Sequence, residues 1–337
     1  MKLNEFDYYL PKELIAQEPP KERGFSRLLI VNRKERSFQE RNFNDIIEYL
    51  NPGDLIIFNN TKVIKARLYV KLPDGKEGEI LLVRKIGENL WEALTRPAKK
   101  MKEGIILKID GQEIKILERK KEGVRIIQFL NSSDREVIEK YGNIPLPPYI
   151  KNLNIKEDDY QTIFATKEGA VAAPTAGFHF TNELIEKIKE KKVKIGFLTL
   201  HCSLGTFRPI KTENIEDHQM YYEDYEIPED LIKMVEETKK ENKRIIACGT
   251  TVVRALESQM KDFDKLLPGY YTTNLFIYPP FQFKIIDALI TNFHLPKSPL
   301  LLLVCAFAGK ELIFQAYQYA MERKFYFYSF GDAMFII

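Results

Sequence analysis

Two textures of apolar spacing divide the chain. In the first, apolar residues recur at helical intervals over 42–50 (Phe43, Ile46, Ile47, Leu50), 182–192 (Leu184, Ile185, Ile188), 230–242 and 252–261. The longer apolar stretch 299–323 reads as mostly helical. Between these lie short apolar runs, 28–32, 54–58, 193–200, 244–248, 275–277 and 287–291, which read as buried strands. The aromatic run 325–330 reads as another. Helices and strands that alternate from Tyr160 onward predict an α/β fold.

The second texture covers 61–129. Six short runs, 63–72, 78–83, 90–95, 105–109, 113–117 and 124–129, are separated by turn residues with no long helix among them. Asp110-Gly111, between two of the runs, is a strong hairpin signal. Such a segment predicts a small closed barrel. A short helix over 134–141 follows, and then GNIPLPPYI, whose prolines impose an extended linker. The expected architecture is one large α/β domain, residues 1–60 and 152–337, interrupted by an inserted small antiparallel β-barrel domain, residues 61–151.

Composition narrows the class. Of 337 residues, 45% are apolar and 29% charged, with 22 Phe and 17 Tyr, which is enough core material to exclude intrinsic disorder. Cys202, Cys248 and Cys305 lie far apart, so neither a disulfide framework nor a zinc ribbon is expected. His179, His201, His218 and His294 fall in no H-E-x-x-H motif, so no metal site is expected. The first residues carry acids without a long apolar stretch, and the longest apolar run, 299–308, is too short for a bilayer. The expectation is a cytoplasmic monomer. A net charge of +3 says little, but residues 61–151 hold 20 Lys+Arg against 13 Asp+Glu while the remainder is net acidic. A positive barrel is either the footprint of a phosphate-backbone partner or a solvated Lys-rich face.

Candidate chemistry sits in Gly-, Pro-, Thr- and His-rich segments between the strong elements. AVAAPTAGFHF (170–180) supplies Thr175, Gly177 and His179 just before Thr181, a helix cap beside N–H groups that suit an anion. TLHCSLGTFRP (199–209) sets His201, Ser203, Thr206 and Arg208 around Gly205. It is not a dinucleotide loop, because G-x-G-x-x-G is absent from the chain. HQMYYE (218–223) offers His218 and Glu223 either as an acid–base pair or as plain surface residues. GTTVVRALE (249–257) is a strand-to-helix turn with Thr250 and Thr251 near the cap and Arg254 one turn on, either an anion site or a simple cap. TNFHLPKS (291–298) puts Asn292 and His294 at a strand end, where α/β folds bind ligands. SFGDAM (329–334) places Asp332 after a glycine, and NNTKVIKARL (59–68) puts Asn59, Asn60 and Thr61 at the barrel junction.

Taken in order, these strings, together with DYYLPKELIAQEPP, SRLLI and CAFAG, resemble the S-adenosylmethionine:tRNA ribosyltransferase-isomerase family of queuosine biosynthesis over nearly the whole chain. The resemblance implies transfer and isomerisation of the ribosyl group of S-adenosylmethionine onto 7-aminomethyl-7-deazaguanine at the tRNA wobble position. Epoxyqueuosine-tRNA forms, and adenine and methionine are released. It implies no cofactor, S-adenosylmethionine being consumed as a substrate, and a tRNA anticodon loop as partner. On this reading Glu223 or His179 is the base, and His294 or Asp332 assists adenine departure. Thr175, Gly177, Gly205, Thr206, Arg208, Arg254 and Asn292 hold the substrate, and Arg96, Lys99, Lys100 and Lys102 contact tRNA phosphates. Three positions depart from the family pattern: Tyr221 stands where a second His is frequent, Asp159 where an Arg is, and Pro299 where a Thr is. The competing classes are an S-adenosylmethionine-dependent RNA methyltransferase, which the missing Gly-rich loop disfavours, and a non-catalytic RNA-binding protein, which leaves the His-rich loops unexplained.

Overall fold

The computed structural model describes residues 1–120, 123–152, 155–203 and 209–337. In chain order the strands and helices are β1 (Arg27–Asn32), β2 (Ser37–Asn42), β3 (Leu55–Asn59), β4 (Thr61–Val63), β5 (Arg67–Lys71), β6 (Glu77–Gly87), β7 (Leu90–Arg96), β8 (Ile106–Ile109), β9 (Gln112–Arg119), β10 (Arg125–Phe129) and α1 (Asp134–Tyr141). They continue with β11 (Lys167–Ala170), α2 (Asn182–Glu190), β12 (Lys194–Leu200), β13 (Glu223–Ile227), α3 (Glu229–Lys240), β14 (Ile245–Cys248), α4 (Thr250–Phe263), β15 (Gly269–Thr273), β16 (Ala288–Asn292), α5 (Pro299–Ala308), α6 (Lys310–Glu322) and β17 (Ala333–Ile336).

Nine strands form one mixed sheet in the order β15-β13-β12-β3-β14-β16-β17-β1-β2, and the neighbours β12, β3, β14 and β16 run parallel. Alternation along the strands explains why both faces are covered. Leu55, Ile57, Leu198, Leu200, Ile245, Ala247 and Leu289 point to the side occupied by α3, α4, α5 and α6. Ile56, Phe58, Ile246, Cys248, Ala288 and Ile290 point to the other side, where Leu184, Ile185 and Ile188 of α2 meet Phe43 and Ile46 of a 3₁₀ turn, Phe43–Tyr49. Fully buried apolar strands with helices on both faces are the α/β solution.

The inserted segment closes on itself as β10-β7-β6-β5-β8-β9. Its interior holds Leu68, Val70, Ile80, Leu82, Ala93, Leu107, Ile114, Ile116 and Ile127, and Val137 and Ile138 of α1 pack against this interior. Asp110 and Gly111 both take positive φ, 46° and 80°, as a two-residue hairpin loop between β8 and β9 requires. The run 63–72 divides: β4 leaves it to pair in parallel with β11, and only β5 joins the barrel. The ribbon of β4 and β11 therefore connects barrel and sheet.

Two strand expectations are corrected. Residues 275–277 are not a strand, since the edge of the sheet is β15, whose Tyr270 is exposed and whose polar sequence hides its pairing with β13. Residues 325–330 are irregular, with one bridge from Ile15 to Phe327, and the strand follows at β17. Phe325, Phe327, Tyr328 and Phe330 of this segment pack into the core, while Tyr326 is exposed. Pro299 takes the first position of α5, where its missing N–H costs nothing, and the Ser298 hydroxyl accepts from Leu301 N–H. Helices α5 and α6 meet at a 114° bend, and among the described residues no single helix is long and apolar enough to cross a membrane.

Candidate active site between the strand ends and the barrel

Two concavities share one wall. The wall is the end of β11 running into Ala173, tied by Val171 N–H to the Cys202 carbonyl just beyond β12. Behind it, at the carboxyl ends of β14 and β16, lies an inner pocket of about 60 Å³ lined by Thr175, Thr250, Thr251, Asn292, His294 and Ser329, among others. In front of it, between sheet and barrel, a cleft of about 670 Å³ is lined by Lys85, Trp91, Gly169, His201, Tyr222 and Glu223. Because side chains alternate along extended backbone, Cys202 faces the inner pocket while His201 and Ser203 face the cleft.

The inner pocket is a hydrogen-bonded frame. Asn292 Oδ1 accepts from the Thr175 hydroxyl at 2.8 Å, and its amide nitrogen donates to His179 Nε2 at 3.0 Å. That leaves His179 Nδ1–H to donate to Ser26 Oγ at 2.6 Å, with the ring stacked on Phe43. Both ring nitrogens are occupied. Burial, aided by Arg23, pushes His179 down to about 3, and burial does the same to His294, whose Nε2 lies 2.9 Å from Thr291 Oγ1. Both are neutral at physiological pH. Gly249, at φ 95°, makes the turn from β14 into α4, a conformation that side chains oppose. Thr251 Oγ1 is buried there without a hydrogen-bond partner among the described residues.

Glu223 is no surface residue. It begins β13, is 2% exposed, pairs with the equally buried Arg254 and accepts Ser203 N–H at 2.6 Å. Arg254 also donates through Nε to the Leu275 carbonyl at 3.1 Å. His218, five residues earlier, makes an edge contact with Phe276. Among the sequence candidates, Glu223 therefore stands at the cleft while Thr175, Asn292 and His294 stand at the inner pocket. Gly177 packs against Thr162 and lines neither.

Asp332 stands apart from these groups. Its two oxygens accept Arg27 N–H and Tyr326 N–H, each at 2.7 Å, which pins β1 to the turn before β17, and it lines neither concavity. Burial raises its pKa. Gly205, Thr206 and Arg208 lie outside the described residues. Arg96, Lys99, Lys100 and Lys102 are exposed at the end of β7 and beyond it, and Arg96 faces Glu79 across the hairpin while Lys85 faces Trp91. Those two rungs are six steps apart along β6 and five along β7, roughly 17–20 Å, so this basic loop stands away from the cleft.

A family model described as queuosine biosynthesis protein matches residues 3–336. The chain belongs to that family. It is 51% identical to the S-adenosylmethionine:tRNA ribosyltransferase-isomerase of Thermosipho africanus and 50% identical to that of Halothermothrix orenii, covering 100% of both chains in each case. A crystal structure of the S-adenosylmethionine tRNA ribosyltransferase from Thermotoga maritima is 41% identical, with a TM-score of 0.58 over 99% of this chain and 100% of that one.

This member of the queuosine biosynthesis family has cleft residues that its motifs do not flag. Arg84 of β6 makes a bidentate pair with Asp224 of β13, at 2.9 and 2.8 Å, and so ties barrel to sheet. Asp134 accepts from Trp91 Nε1 at 2.7 Å and pairs with Lys85 at 2.6 Å. Each partner lies far away in sequence within ordinary strand or helix patterns, so only the folded chain joins them. Gly169 did carry a signal, as a lone glycine in a short extended run, which marks a bulge or a close approach.

Proposed function

We propose that the protein transfers and isomerises the ribosyl group of S-adenosylmethionine onto a 7-aminomethyl-7-deazaguanine base at the tRNA wobble position, releasing adenine and methionine. The observation that carries this reading is the full-length relation to named S-adenosylmethionine:tRNA ribosyltransferase-isomerases at about half identity.

The geometry supports a division of labour. The inner pocket is too small for a whole nucleoside, but the N-terminus of α4, the spare Thr251 hydroxyl and the Thr175–Asn292 pair suit one polar, anionic end of the substrate, such as its carboxylate. The cleft has room for the ribosyl unit and the incoming base. Glu223, fixed by Arg254 and Ser203 N–H, supplies a preorganised negative charge for the sulfonium and for positive charge that develops as bonds change. His179 and His294 hold the frame in shape, and Arg254 holds Glu223. Gly205, Thr206 and Arg208 remain candidates for substrate binding. The exposed loop with Arg96, Lys99, Lys100 and Lys102 reaches phosphates beyond the anticodon base, which a single-stranded loop presents without melting a duplex.

The test is incubation with S-adenosylmethionine and tRNA carrying the aminomethyl base, followed by mass spectrometry. Adenine and methionine whose release depends on the modified tRNA are expected. S-adenosylhomocysteine instead would make the protein a methyltransferase and overturn the reading.

A further inference from the structure

The cleft contains one histidine built differently from those of the inner pocket. His201 follows β12, is only partly buried, and its backbone N–H is fixed to the Asp224 carbonyl at 2.9 Å. Its Nδ1 lies 2.8 Å from the hydroxyl of Thr61, a fully buried residue of β4. The face of the ring lies flat on Gly169 of β11. A Cβ there would come within 2.8 to 2.9 Å of Cε1, Nδ1 and Nε2, and Gly169 has φ 146°. Three elements thus hold one imidazole, while Nε2 has no hydrogen-bond partner among the described residues. A histidine that only filled space would not need a glycine seat and an anchored Nδ1 at the mouth of this cleft.

We propose that His201 is a catalytic proton-transfer residue of the cleft, with Thr61 and Gly169 as its positioning residues. The assignment rests on the ribosyl-transfer reading. With the Thr61 hydroxyl turned toward the Lys167 carbonyl at 3.5 Å, its lone pair accepts Nδ1–H, and Nε2 presents a lone pair to the cleft. As the aminomethyl nitrogen of the substrate bonds to a ribosyl carbon, one N–H bond breaks. Its electron pair stays on nitrogen, and the proton passes to Nε2. The electron pair of the carbon bond displaced leaves with the departing group. The imidazolium keeps its Nδ1–H on Thr61 and later returns the added proton to solvent. Burial lowers the pKa of His201, and Lys167 acts in the same direction, while Asp224 and Glu226 oppose both. The resting ring is therefore neutral, as a base must be.

The experiment uses the full chain with S-adenosylmethionine and modified tRNA, comparing wild type, His201→Ala and Gly169→Ala. Adenine release by His201→Ala is expected to fall about 10²- to 10⁴-fold, the usual range for a general base, with a thermal midpoint near that of wild type. Added imidazole is expected to restore about tenfold of that loss, which a merely structural histidine would not allow. Gly169→Ala keeps the histidine but displaces its ring, so kcat is expected to fall more than KM rises. A folded His201→Ala within about threefold of wild type, or one that imidazole leaves unchanged, overturns the assignment. Should the alanine variant not fold, His201→Asn decides, with lost turnover in a folded protein in favour and wild-type turnover against. Wild type that releases no adenine sinks the ribosyl-transfer reading and the assignment with it. An active wild type beside an equally active His201→Ala sinks the assignment alone.

Discussion

Glu223 and Arg254 bury opposite charges against each other at the back of the cleft, each only 2% exposed. Such a pair stabilises less than its Coulomb energy suggests, yet removing one partner strands the other in low dielectric. Glu223→Ala is expected to cost about 3–5 kcal/mol, read as a lower denaturant midpoint, and Arg254→Met a similar amount. The Glu223→Met/Arg254→Met double variant should recover part of the loss. A Glu223→Ala midpoint equal to that of wild type would mean that water reaches the pair.

Asp332 is expected to act on stability and not on chemistry. Asp332→Ala leaves two N–H groups without their carboxylate, a loss of about 2–4 kcal/mol that differential scanning calorimetry would register as a lower Tm. The KM for S-adenosylmethionine and the turnover of the folded fraction should stay near wild type. Abolished turnover at an unchanged Tm would return Asp332 to the reacting centre.

The buried histidines set an acid limit. His179 and His294 are held near 3, below the ordinary 6.5, so the unfolded chain takes up protons that the folded one refuses. The stability this represents is complete above about pH 6.5 and is lost as pH falls toward 3. Asp332 and Glu257, raised by burial, act with the opposite sign: their contribution is fullest in acid and is lost as pH rises through their folded values. Thermal midpoints are expected to drop from pH 7 to pH 4, and less steeply in His179→Gln. A flat profile in wild type would contradict the neutral, buried state of these rings.

The loop that follows β7 gives a prediction for RNA. Among the described residues Arg96, Lys99 and Lys102 form no ion pair, whereas Lys100 is taken by Asp74 at 3.0 Å. Replacing Arg96, Lys99 and Lys102 with alanine should weaken tRNA binding and reduce the slope of log K against log salt by about 0.7 for each phosphate that is no longer neutralised. The KM for S-adenosylmethionine should be unchanged. An unaltered salt slope would confine the RNA to the cleft rim, where Lys62, Lys65, Arg84, Lys85 and Arg135 stand.

The sequence and the structure agree wherever local chemistry decides. Apolar runs such as 55–58, the Asp110-Gly111 hairpin and the Thr181 cap on α2 are legible because burial, turn geometry and capping act between residues near in sequence. The polar edge strand β15 is not legible, because only its pairing with β13 makes it a strand. The inner-pocket residues stand out through their Gly- and His-rich loops. What those loops do not tell is which polar atoms are already in use: His179 and Asp332 look reactive in sequence, but in the fold both ring nitrogens of the one and both carboxylate oxygens of the other already have partners. In sequence His201 is one donor among several, and its distinction comes from Thr61 and Gly169, which reach it from 140 and 32 positions away.

The ribbon of β4 and β11 has a mechanical consequence. These two strands are hydrogen-bonded to each other, and Arg84 pairs with Asp224 nearby, so the barrel is held to the sheet both by the ribbon and by this ion pair. Thr61 begins one strand of that ribbon and Gly169 lies near the end of the other. Load that a docked RNA puts on the barrel is thus shared by the ribbon whose strands carry both residues that hold the His201 ring.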